Sequence, residues 1–592
     1  MTKAAVMVVT FANSTANISH IPSNTTLVKQ YGRRLVLDFI DYHCDAADEL
    51  KHLEQKLLQE YATINPEWVV LDVEKDLPLN IMVIETPNNN DTFQQQNLFN
   101  QNQDILNEQF GNTVEWQYAN SEPYSTHAES AWRMGILSHP SVIVAVIDSG
   151  LSSVAIQRGV FRHLVPGYDF ISNVQYSLDG DGRDPDWMDP SAVEDCGGGT
   201  SSDHKWHGTK MSSLLASAHN ILPGFHSMAP HCGLQMVRVL GKCGVGFAND
   251  LSDAIVWASG GFIGGGVGYN KHPAQIISLS IAGKGQCPSY LQSAINLAVL
   301  QQDVLIITAA GNYDGESSED YFPANCKHVL VVGASTRSGE KAAYSNYDKS
   351  NSSGSLGFLL APGGDASDPI QVISVLQTPF VYNDSSKNGS YYTLSKSQIV
   401  LTKAAGTSLS VVLASGMAAL YFQLTGNLFL RNSTVPVGGG LIHAKLLLQA
   451  ATQCRSSSSF VQQFCGAGIL NFSMMDEEWI INSATNLKTL MTMANLSQNL
   501  YYYDGNHTSG ELTFLPTTII DCSLSYGSTA FYYEGVCGGS TSNCPSFSTR
   551  DPIDMQCSCN SGYFAQNIPI FTRQITISNI ASPPTDFQVL WI

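Results

Sequence analysis

A glycine-threonine-serine sequence, Gly406-Thr407-Ser408, stands just before an apolar run from Val411 to Tyr421. The apolar run predicts a buried helix, with the tripeptide at its N-terminus. The free N–H groups and partial positive charge of a helix N-terminus favour negative charge on a nearby oxygen. The Ser408 hydroxyl is therefore a candidate nucleophile, although the same tripeptide also occurs in ordinary turns.

A nucleophilic serine needs a base, an acid that orients the base, and a donor for the developing oxyanion. Residues of these types occur upstream. Asp148 ends the apolar run Val142–Ile147, where a buried parallel strand would stop. His207 opens an amphipathic segment, and Asn312 follows shortly after a second apolar run. Taken singly, each has a structural alternative, such as a turn aspartate that caps the next element.

An acidic loop lies between Asp148 and His207. Its carboxylates are Asp179, Asp181, Asp184 and Asp186, spaced by glycine, arginine and proline. Ca²⁺ prefers oxygen ligands of this kind, but the spacing is not that of an EF-hand. The loop predicts either a structural Ca²⁺ site formed by these four residues or a solvated acidic loop.

The elements that must position these side chains alternate between strands and helices. Apolar runs predict strands at residues 142–147, 235–240, 276–281, 304–308 and 329–333, and helices at 207–218 and about 250–258. This alternation predicts an α/β fold with a doubly wound parallel sheet. Functional side chains in such folds gather where the strands end.

The order Asp148, His207, Ser408 on a parallel sheet resembles the subtilisin-like serine peptidases, the subtilase family. Four motifs within residues 130–475 carry the resemblance: Val-Ala-Val-Ile-Asp148-Ser-Gly, His207-Gly-Thr, Ala-Ala-Gly-Asn312 and Gly-Thr-Ser408. It implies that Ser408 attacks a peptide carbonyl, that His207 transfers the proton and that Asp148 orients the imidazole. It further implies that Asn312 and the Ser408 N–H stabilise the oxyanion, without a catalytic cofactor.

The resemblance also implies where a peptide would bind. The substrate would pair as an added strand with Ser280, Ile281 and Ala282. The pocket for the residue before the scissile bond would be lined by Ala309, Ala310 and Gly311. Because these segments contain no Asp or Glu, we expect a neutral, apolar substrate residue in that pocket.

We expect four parts along the chain. Residues 1–85 predict a small α+β unit, with a strand at 4–11 and a helix at 45–61, that resembles the inhibitory propeptide of the family. Residues 86–120 form an Asn/Gln-rich linker where the unit would be cut, 121–475 the peptidase domain, and 476–592 a β-rich C-terminal domain. No Lys or Arg occurs from Asp76 through Trp132, so a protease specific for basic residues could not cut there.

Composition limits the partners and the compartment. The net charge of −20 disfavours nucleic acid and anionic membranes, and we identify no run long enough to span a bilayer. Thirteen cysteines without a Cys-x-x-Cys pair favour disulfides in an oxidising compartment. Resemblance to the secreted bacterial branch of the family implies three bridges: Cys196–Cys243, Cys287–Cys326 and Cys454–Cys465.

The sequence thus predicts a secreted, monomeric serine endopeptidase, made as a zymogen, whose partners are protein or peptide substrates and its own propeptide. No signal peptide is evident, and we expect that any such signal has been removed. Two alternatives stay open. One is a catalytically weak or inactive descendant that binds peptide in the same cleft, and the other is a peptide ligase on the same scaffold.

Overall fold

The structure is a computed structural model. It describes residues 5–11, 25–31, 34–39, 53, 55–59, 61, 70–81, 84–85, 114–190, 206–219, 221–264, 266–348, 355–384, 390–431, 440–455 and 464–472, and four short strands between 531 and 559. The predicted linker and most of the predicted C-terminal domain lie outside these residues.

The N-terminal unit contributes six strands: β1 (Ala5–Phe11), β2 (Thr25–Tyr31), β3 (Arg34–Phe39), β4 (Val70–Lys75), β5 (Pro78–Ile81) and β6 (Ile84–Glu85). The first four form a sheet in the order β2-β3-β1-β4, in which β1 pairs with β3 and β4 in antiparallel fashion. Leu53, Leu57 and Tyr61, from the predicted helix, are buried against one face of this sheet. An α+β unit is therefore present, whereas β5 and β6 leave it and join other sheets.

The described residues from 114 to 472 contain fourteen strands. They are β7 (Ile143–Asp148), β8 (Leu151–Ser152), β9 (Leu164–Asp169), β10 (Met188–Asp189), β11 (Gly233–Arg238), β12 (Val245–Phe247), β13 (Ile276–Leu279), β14 (Ile281–Lys284), β15 (Leu305–Ala309), β16 (Tyr321–Phe322), β17 (Leu330–Ser335), β18 (Gly357–Pro362), β19 (Ile370–Asp384) and β20 (Ser390–Ala405). Seven of them form one parallel sheet in the order β18-β17-β15-β13-β7-β11-β9.

Eight α-helices accompany the strands of the described chain. They are α1 (Ala128–Arg133), α2 (Ser153–Gln157), α3 (Val174–Ser177), α4 (His207–Ala216), α5 (Ala248–Ala258), α6 (Ser289–Asn296), α7 (Thr407–Arg431) and α8 (Gly440–Ala450). Short 3₁₀ turns cover Lys242–Gly244 and Ser318–Asp320, and a π-helical turn covers Leu297–Gln301.

Helices cover both faces of the parallel sheet. Val144 and Val146 of β7 join an apolar core that includes α4 and α7. Ile143, Ala145 and Ile147 face the opposite side and join a core that includes α5 and α6. Side chains of a strand alternate between the two faces, so a continuous apolar run such as this one indicates burial on both. The predicted doubly wound α/β sheet is confirmed.

Two features of the fold differ from the predictions. The predicted strand 276–281 is divided at Ser280, because β13 belongs to the parallel sheet while β14 pairs with β5 and β16 in a separate sheet. Sequence analysis also missed a long antiparallel hairpin formed by β19 and β20. Its second strand ends at Ala405, immediately before the candidate nucleophile segment.

One described helix, Thr407–Thr425 within α7, is long and apolar enough to cross a membrane, so the statement that no run has that length was wrong. This stretch is 89% buried inside the protein. Its apolar side chains, including Leu409, Val412 and Met417, are part of the core between α4 and the sheet. The helix is therefore accounted for as a central core helix.

The predicted disulfides are confirmed wherever both cysteines are described. Cys287–Cys326 and Cys454–Cys465 are both bonded, as the resemblance implied. Cys243 is also disulfide-bonded, and its predicted partner Cys196 lies outside the described residues. Of the predicted β-rich C-terminal domain, the structure describes two short antiparallel pairs, Phe531–Tyr533 with Val536–Gly538 and Ser548–Arg550 with Cys557–Cys559.

Candidate active site

Asp148 and His207 meet at the edge of the parallel sheet. Asp148 is the last residue of β7, and His207 is the first residue of α4. The Nδ1 atom of His207 lies 2.8 and 2.9 Å from the two carboxylate oxygens of Asp148, and both side chains are fully buried. The Ser149 N–H donates to the same carboxylate at 2.7 Å. This arrangement fixes the ring orientation and leaves Nε2 directed away from the carboxylate.

Two glycines allow the strand end and the helix start to approach each other. A Cβ atom on Gly208 would lie 2.4 Å from the carbonyl oxygen of Gly150, which itself has a φ of +101°. The Gly208 N–H donates to the Ser149 hydroxyl at 3.0 Å. The sequences Asp148-Ser-Gly and His207-Gly-Thr thus each need a glycine, because the backbones of Gly150 and Gly208 are in contact.

Ser408 lies in the first turn of α7, which packs against α4. Its Oγ donates to the carbonyl oxygen of Ser280 at 3.1 Å, and the Ser280 hydroxyl donates back to the Ser408 carbonyl at 3.1 Å. Among the described residues, His207 Nε2 has no hydrogen-bond partner. The serine hydroxyl is therefore turned toward β14 and not toward the imidazole. Catalytic hydrogen bonds often form only with substrate bound, so this orientation alone does not decide its role.

Asn312 lies beside the N-terminus of α7. Its Oδ1 accepts hydrogen bonds from the Thr407 N–H at 3.0 Å and from the Thr407 hydroxyl at 2.8 Å. A backbone N–H can only donate, so these contacts identify the amide oxygen and direct Nδ2 the other way. Asn312 Nδ2 is buried without a partner among the residues that the structure describes. Asn312 thus keeps an N–H donor available while its oxygen bonds to Thr407, the neighbour of Ser408.

The predicted substrate-pairing segment already holds a strand of the N-terminal unit. Strand β5 lies between β12 and β14, with Asn80 opposite Ala282 and Ile81 opposite Ile281. Strand β6 pairs with the end of β20, so that Ile84 stands opposite Ala405, three residues before Ser408. Ile81 therefore pairs beside Ser280, whose carbonyl Ser408 contacts, and Ile84 pairs shortly before Ser408 in the sequence.

The N-terminal unit also caps two helices of the larger domain. The Asp76 carboxylate accepts from the Asn249 N–H at 2.9 Å at the start of α5. The Glu74 carboxylate accepts from the Ser289 N–H at 3.0 Å at the start of α6. Carboxylates at helix N-termini satisfy free N–H groups and complement the helix dipole. Arg34 adds an ion pair to Asp253 and hydrogen bonds to neighbouring α5 side chains.

The predicted pocket residues Ala309, Ala310 and Gly311 lie at the end of β15. Ala309 ends β15, and its methyl group lies in one apolar core while that of Ala310 lies in the other. Gly311 follows with a φ of +109°, in the left-handed region that favours glycine. Both methyl groups are therefore core side chains, and a pocket lined by this segment stays a prediction.

The described contacts of the acidic loop are ion pairs and backbone hydrogen bonds, and a Ca²⁺ site formed by Asp179, Asp181, Asp184 and Asp186 stays a prediction. Asp179 forms an ion pair with the buried Arg238, which also pairs with Asp169 and donates to the Ser177 carbonyl. The oxygens of Asp184 and Asp186 accept from backbone N–H groups two residues further on. No group of three or more His, Cys, Asp or Glu residues in the described chain is placed to hold a metal ion. A guanidinium supplies the positive charge expected of a cation.

Electrostatics in the loop follow from this pairing. Burial would raise the pKa of Asp179, but hydrogen bonding to Ser177 and the charge of Arg238 lower it overall. Burial raises the pKa of Asp184, and the neighbouring carboxylates of Asp181 and Asp179 raise it further. Sequence analysis did not single out Arg238, although a lone arginine in an otherwise apolar strand signals a buried ion pair.

The comparison with protein families decides the relationship. The family model Peptidase S8, described as the subtilase family, matches residues 140–468. The chain belongs to the subtilase family. All four motifs that carried the resemblance fall within the matched residues, and so do Asp148, His207, Asn312 and Ser408.

Characterised subtilases share part of this chain. An extracellular protease of Xanthomonas campestris pv. campestris is 41% identical over 209 residues, which is 35% of each chain. An extracellular basic protease of Dichelobacter nodosus is 32% identical over 325 residues, or 53% of this chain and 48% of the relative. The chain thus spans about a third to a half of the length of these relatives. A solved protease structure from Pseudoalteromonas arctica is 30% identical, with a TM-score of 0.49, over 62% of this chain and 97% of that one.

Proposed function

We propose that this protein is a serine endopeptidase in which Asp148, His207 and Ser408 form the catalytic triad. The observation that carries the proposal is the buried contact of His207 Nδ1 with both oxygens of Asp148. It leaves Nε2 without a partner in the described chain, on a helix that packs against the one that begins at Thr407. A rotation of the Ser408 hydroxyl away from the Ser280 carbonyl would direct it to that nitrogen.

In the proposed mechanism, His207 Nε2 removes the Ser408 proton as Oγ attacks the peptide carbonyl. The carbonyl π electrons move to oxygen and give a tetrahedral oxyanion, while Asp148 stabilises the imidazolium. His207 then protonates the leaving amine as the C–N bond breaks, which leaves an acyl-enzyme. Water, deprotonated by His207, attacks the ester and restores the Ser408 hydroxyl.

The oxyanion would be bound by Asn312 Nδ2 and the backbone N–H of Ser408. The double hydrogen bond from Thr407 to Asn312 Oδ1 prepares the amide before substrate arrives. A donor that needs no reorganisation contributes mainly to the transition state. Loss of one such donor costs about 10²–10³ in kcat, a value measured in subtilisin itself.

We also propose that the protein is made as a zymogen, with residues 1–85 as its inhibitor. The insertion of β5 between β12 and β14 supports inhibition, because a substrate cannot use those edges while β5 is present. The pairing of β5 beside Ser280 and of β6 shortly before Ser408 in the sequence supports a first cut between Ile81 and Ile84, upstream of the linker where we expected it. Self-cleavage in this interval would leave the unit bound as a product.

The preference for a neutral residue before the scissile bond has two supports. Residues 81–84 are Ile-Met-Val-Ile, so any bond cut in that interval follows an apolar residue. The segment Ala309-Ala310-Gly311, which we propose lines the pocket, contains no carboxylate. A basic substrate residue would find no opposite charge in that segment.

Secretion is proposed as well. The relatives in Xanthomonas and Dichelobacter are named extracellular proteases, and the bridges at Cys287 and Cys454 suit an oxidising compartment. We propose a monomer that acts on proteins and peptides.

The test uses the full chain, a Ser408→Ala variant and a Ser410→Ala control. Ser410 is also buried in α7, and its hydroxyl donates to the Ala361 carbonyl at 2.9 Å. We expect a fluorophosphonate to label the wild type and Ser410→Ala but not Ser408→Ala. N-terminal sequencing should find a cut between residues 81 and 84 in the two active proteins only.

The outcomes separate the alternatives. Absence of labelling in the wild type would overturn the triad and leave a peptide-binding descendant. Equal labelling of wild type and Ser408→Ala would overturn the triad by placing the reactive hydroxyl elsewhere. Labelling with transfer of the acyl group mainly to an added amine, and little hydrolysis, would indicate a peptide ligase. A first cut after residue 85 would overturn the proposed processing position without affecting the triad.

A further inference from the structure

We propose that Asn346 is a positioning residue that holds Asn312 in place for oxyanion binding, an inference that rests on the proposed function. Asn346 lies in the loop between β17 and β18, far from Asn312 in the sequence, and its side chain is fully buried. It contacts the residues on both sides of Asn312. This double contact sets the direction of the oxyanion donor.

The contacts form a clamp around one residue. The Asn346 backbone N–H donates to the Gly311 carbonyl at 2.9 Å. Its Oδ1 accepts from the Tyr313 N–H at 3.0 Å. Since that donor is a backbone N–H, the amide oxygen is identified and Asn346 Nδ2 faces Gly311. A Cβ atom on Gly311 would lie 2.5 Å from that nitrogen, so only glycine leaves room for the amide.

The clamp is attached to the parallel sheet. The Ser345 hydroxyl accepts from the Ala334 N–H in β17 at 3.0 Å and donates to the Asn346 carbonyl at 2.9 Å. The segment before Asn312 is the end of β15, which pairs with β17. Asn346 therefore connects the Asn312 turn to a rigid neighbour strand, as a preorganised donor requires.

The effect should appear in the transition state. Thr407 fixes the oxygen end of the Asn312 amide, while Asn346 fixes the backbone from which that amide extends. Without Asn346, the turn can shift and Nδ2 leaves the place where the oxyanion forms. A displacement of about 1 Å at a catalytic group can cost about 10²-fold in rate. Substrate binding in the ground state does not use this donor, so KM should change little.

A double-mutant cycle tests the inference, with kinetics measured on the self-processed protein and stability measured on the uncut protein. The variants are Asn312→Ala, Asn346→Ala and both together, with the buried Asn270→Ala as a control. Asn270 bonds to Gln235 and to the Ala258 carbonyl, away from the site. A succinyl-Ala-Ala-Pro-Leu p-nitroanilide substrate gives kcat and KM, and thermal unfolding in the Ser408→Ala background reports stability.

We expect Asn346→Ala to lower kcat about 10-fold to 10²-fold with KM within about twofold. The double variant should be within about threefold of Asn312→Ala, because the clamp has no donor left to position. Asn270→Ala should lose stability but keep kcat. If Asn346→Ala does not fold, Asn346→Ser carries the same expectations.

Two results would overturn the inference. One is a double variant whose kcat falls by the product of the two single losses, which indicates a general structural role. The other is an Asn346→Ala or Asn346→Ser protein with wild-type kcat. Failure of the proposed function looks different, since then wild type and Ser408→Ala would have equal activity.

Discussion

Gly208→Ala is a single-methyl substitution that should separate the fold from the chemistry. Alanine in a helix is ordinarily more stable than glycine by about 1 kcal/mol, and Gly208 is the second residue of α4. At this position, however, the new Cβ would lie 2.4 Å from the Gly150 carbonyl oxygen and 3.0 Å from the Gly150 nitrogen. Both are backbone atoms, so no side chain can rotate away.

The size of the effect follows from that contact. Ordinary van der Waals contact begins at 3.4 Å, so the start of α4 must move by about 1 Å. Overpacking of this kind costs about 1–3 kcal/mol, which outweighs the helix preference. His207 is the adjacent residue and moves with the helix, so its contacts of 2.8 and 2.9 Å to Asp148 lengthen. We expect kcat/KM to fall about 10²-fold.

The assay compares peptide hydrolysis with thermal unfolding in the Ser408→Ala background. Gly268→Ala is the control, because a Cβ there would meet no atom within 4 Å, and it should retain wild-type activity. A Gly208→Ala enzyme with kcat/KM within about threefold of wild type would refute the reasoning. It would mean that the contact between the two glycines does not determine the distance between imidazole and carboxylate.

Arg238→Leu should lower the free energy of unfolding by about 3–5 kcal/mol, because Asp169 and Asp179 lose their shared guanidinium. Urea unfolding in the Ser408→Ala background measures this loss. A loss below about 1 kcal/mol would contradict a stabilising role of the two ion pairs. Burial raises the pKa of the Cys232 thiol to about 12, so at pH 9 iodoacetamide should label this cysteine only after unfolding. The unfolded thiol ionises first, so folding stability should fall as the pH rises through about 9 toward 12; native labelling as fast as unfolded labelling would count against this. Arg34→Ala removes the charged contacts to Asp253 and should weaken inhibition by the cut N-terminal unit about 10-fold to 10²-fold. Inhibition constants at low and high salt test this. Equal constants for the wild-type and Arg34→Ala units would exclude the contact as a determinant of inhibition.

The sequence predicted the residues of the candidate site because each stands at one end of an apolar or amphipathic pattern. The run before Asp148 is apolar on both strand faces, and the run of α7 is apolar on all sides, so the polar residue at each end is conspicuous. Because such an element is buried on both faces, a polar side chain can be accommodated only at its end. The positions of Asp148, His207 and Asn312 could be predicted for this reason.

Other parts depend on distant partners that no local pattern reveals. The carboxylate of Asp179 is the type of ligand that Ca²⁺ prefers. Only the fold brings Arg238 of β11 close to it. Asn346 lies in a polar loop and becomes significant through contacts with Gly311 and Tyr313. The hairpin of β19 and β20 is different, because both strands contain many β-branched and aromatic residues, so a strand pattern was present in the sequence and was overlooked. Its stability comes from pairing over its whole length.

The position of β5 between β12 and β14 has a consequence for what can be cut. A polypeptide that replaces residues 78–81 must offer the hydrogen-bonding groups of both its edges at once. A segment inside a helix or a sheet already uses those groups, so it has to leave its own neighbours first. Attack on compact proteins should therefore concentrate at loose loops and chain ends, and rise steeply once the target begins to unfold.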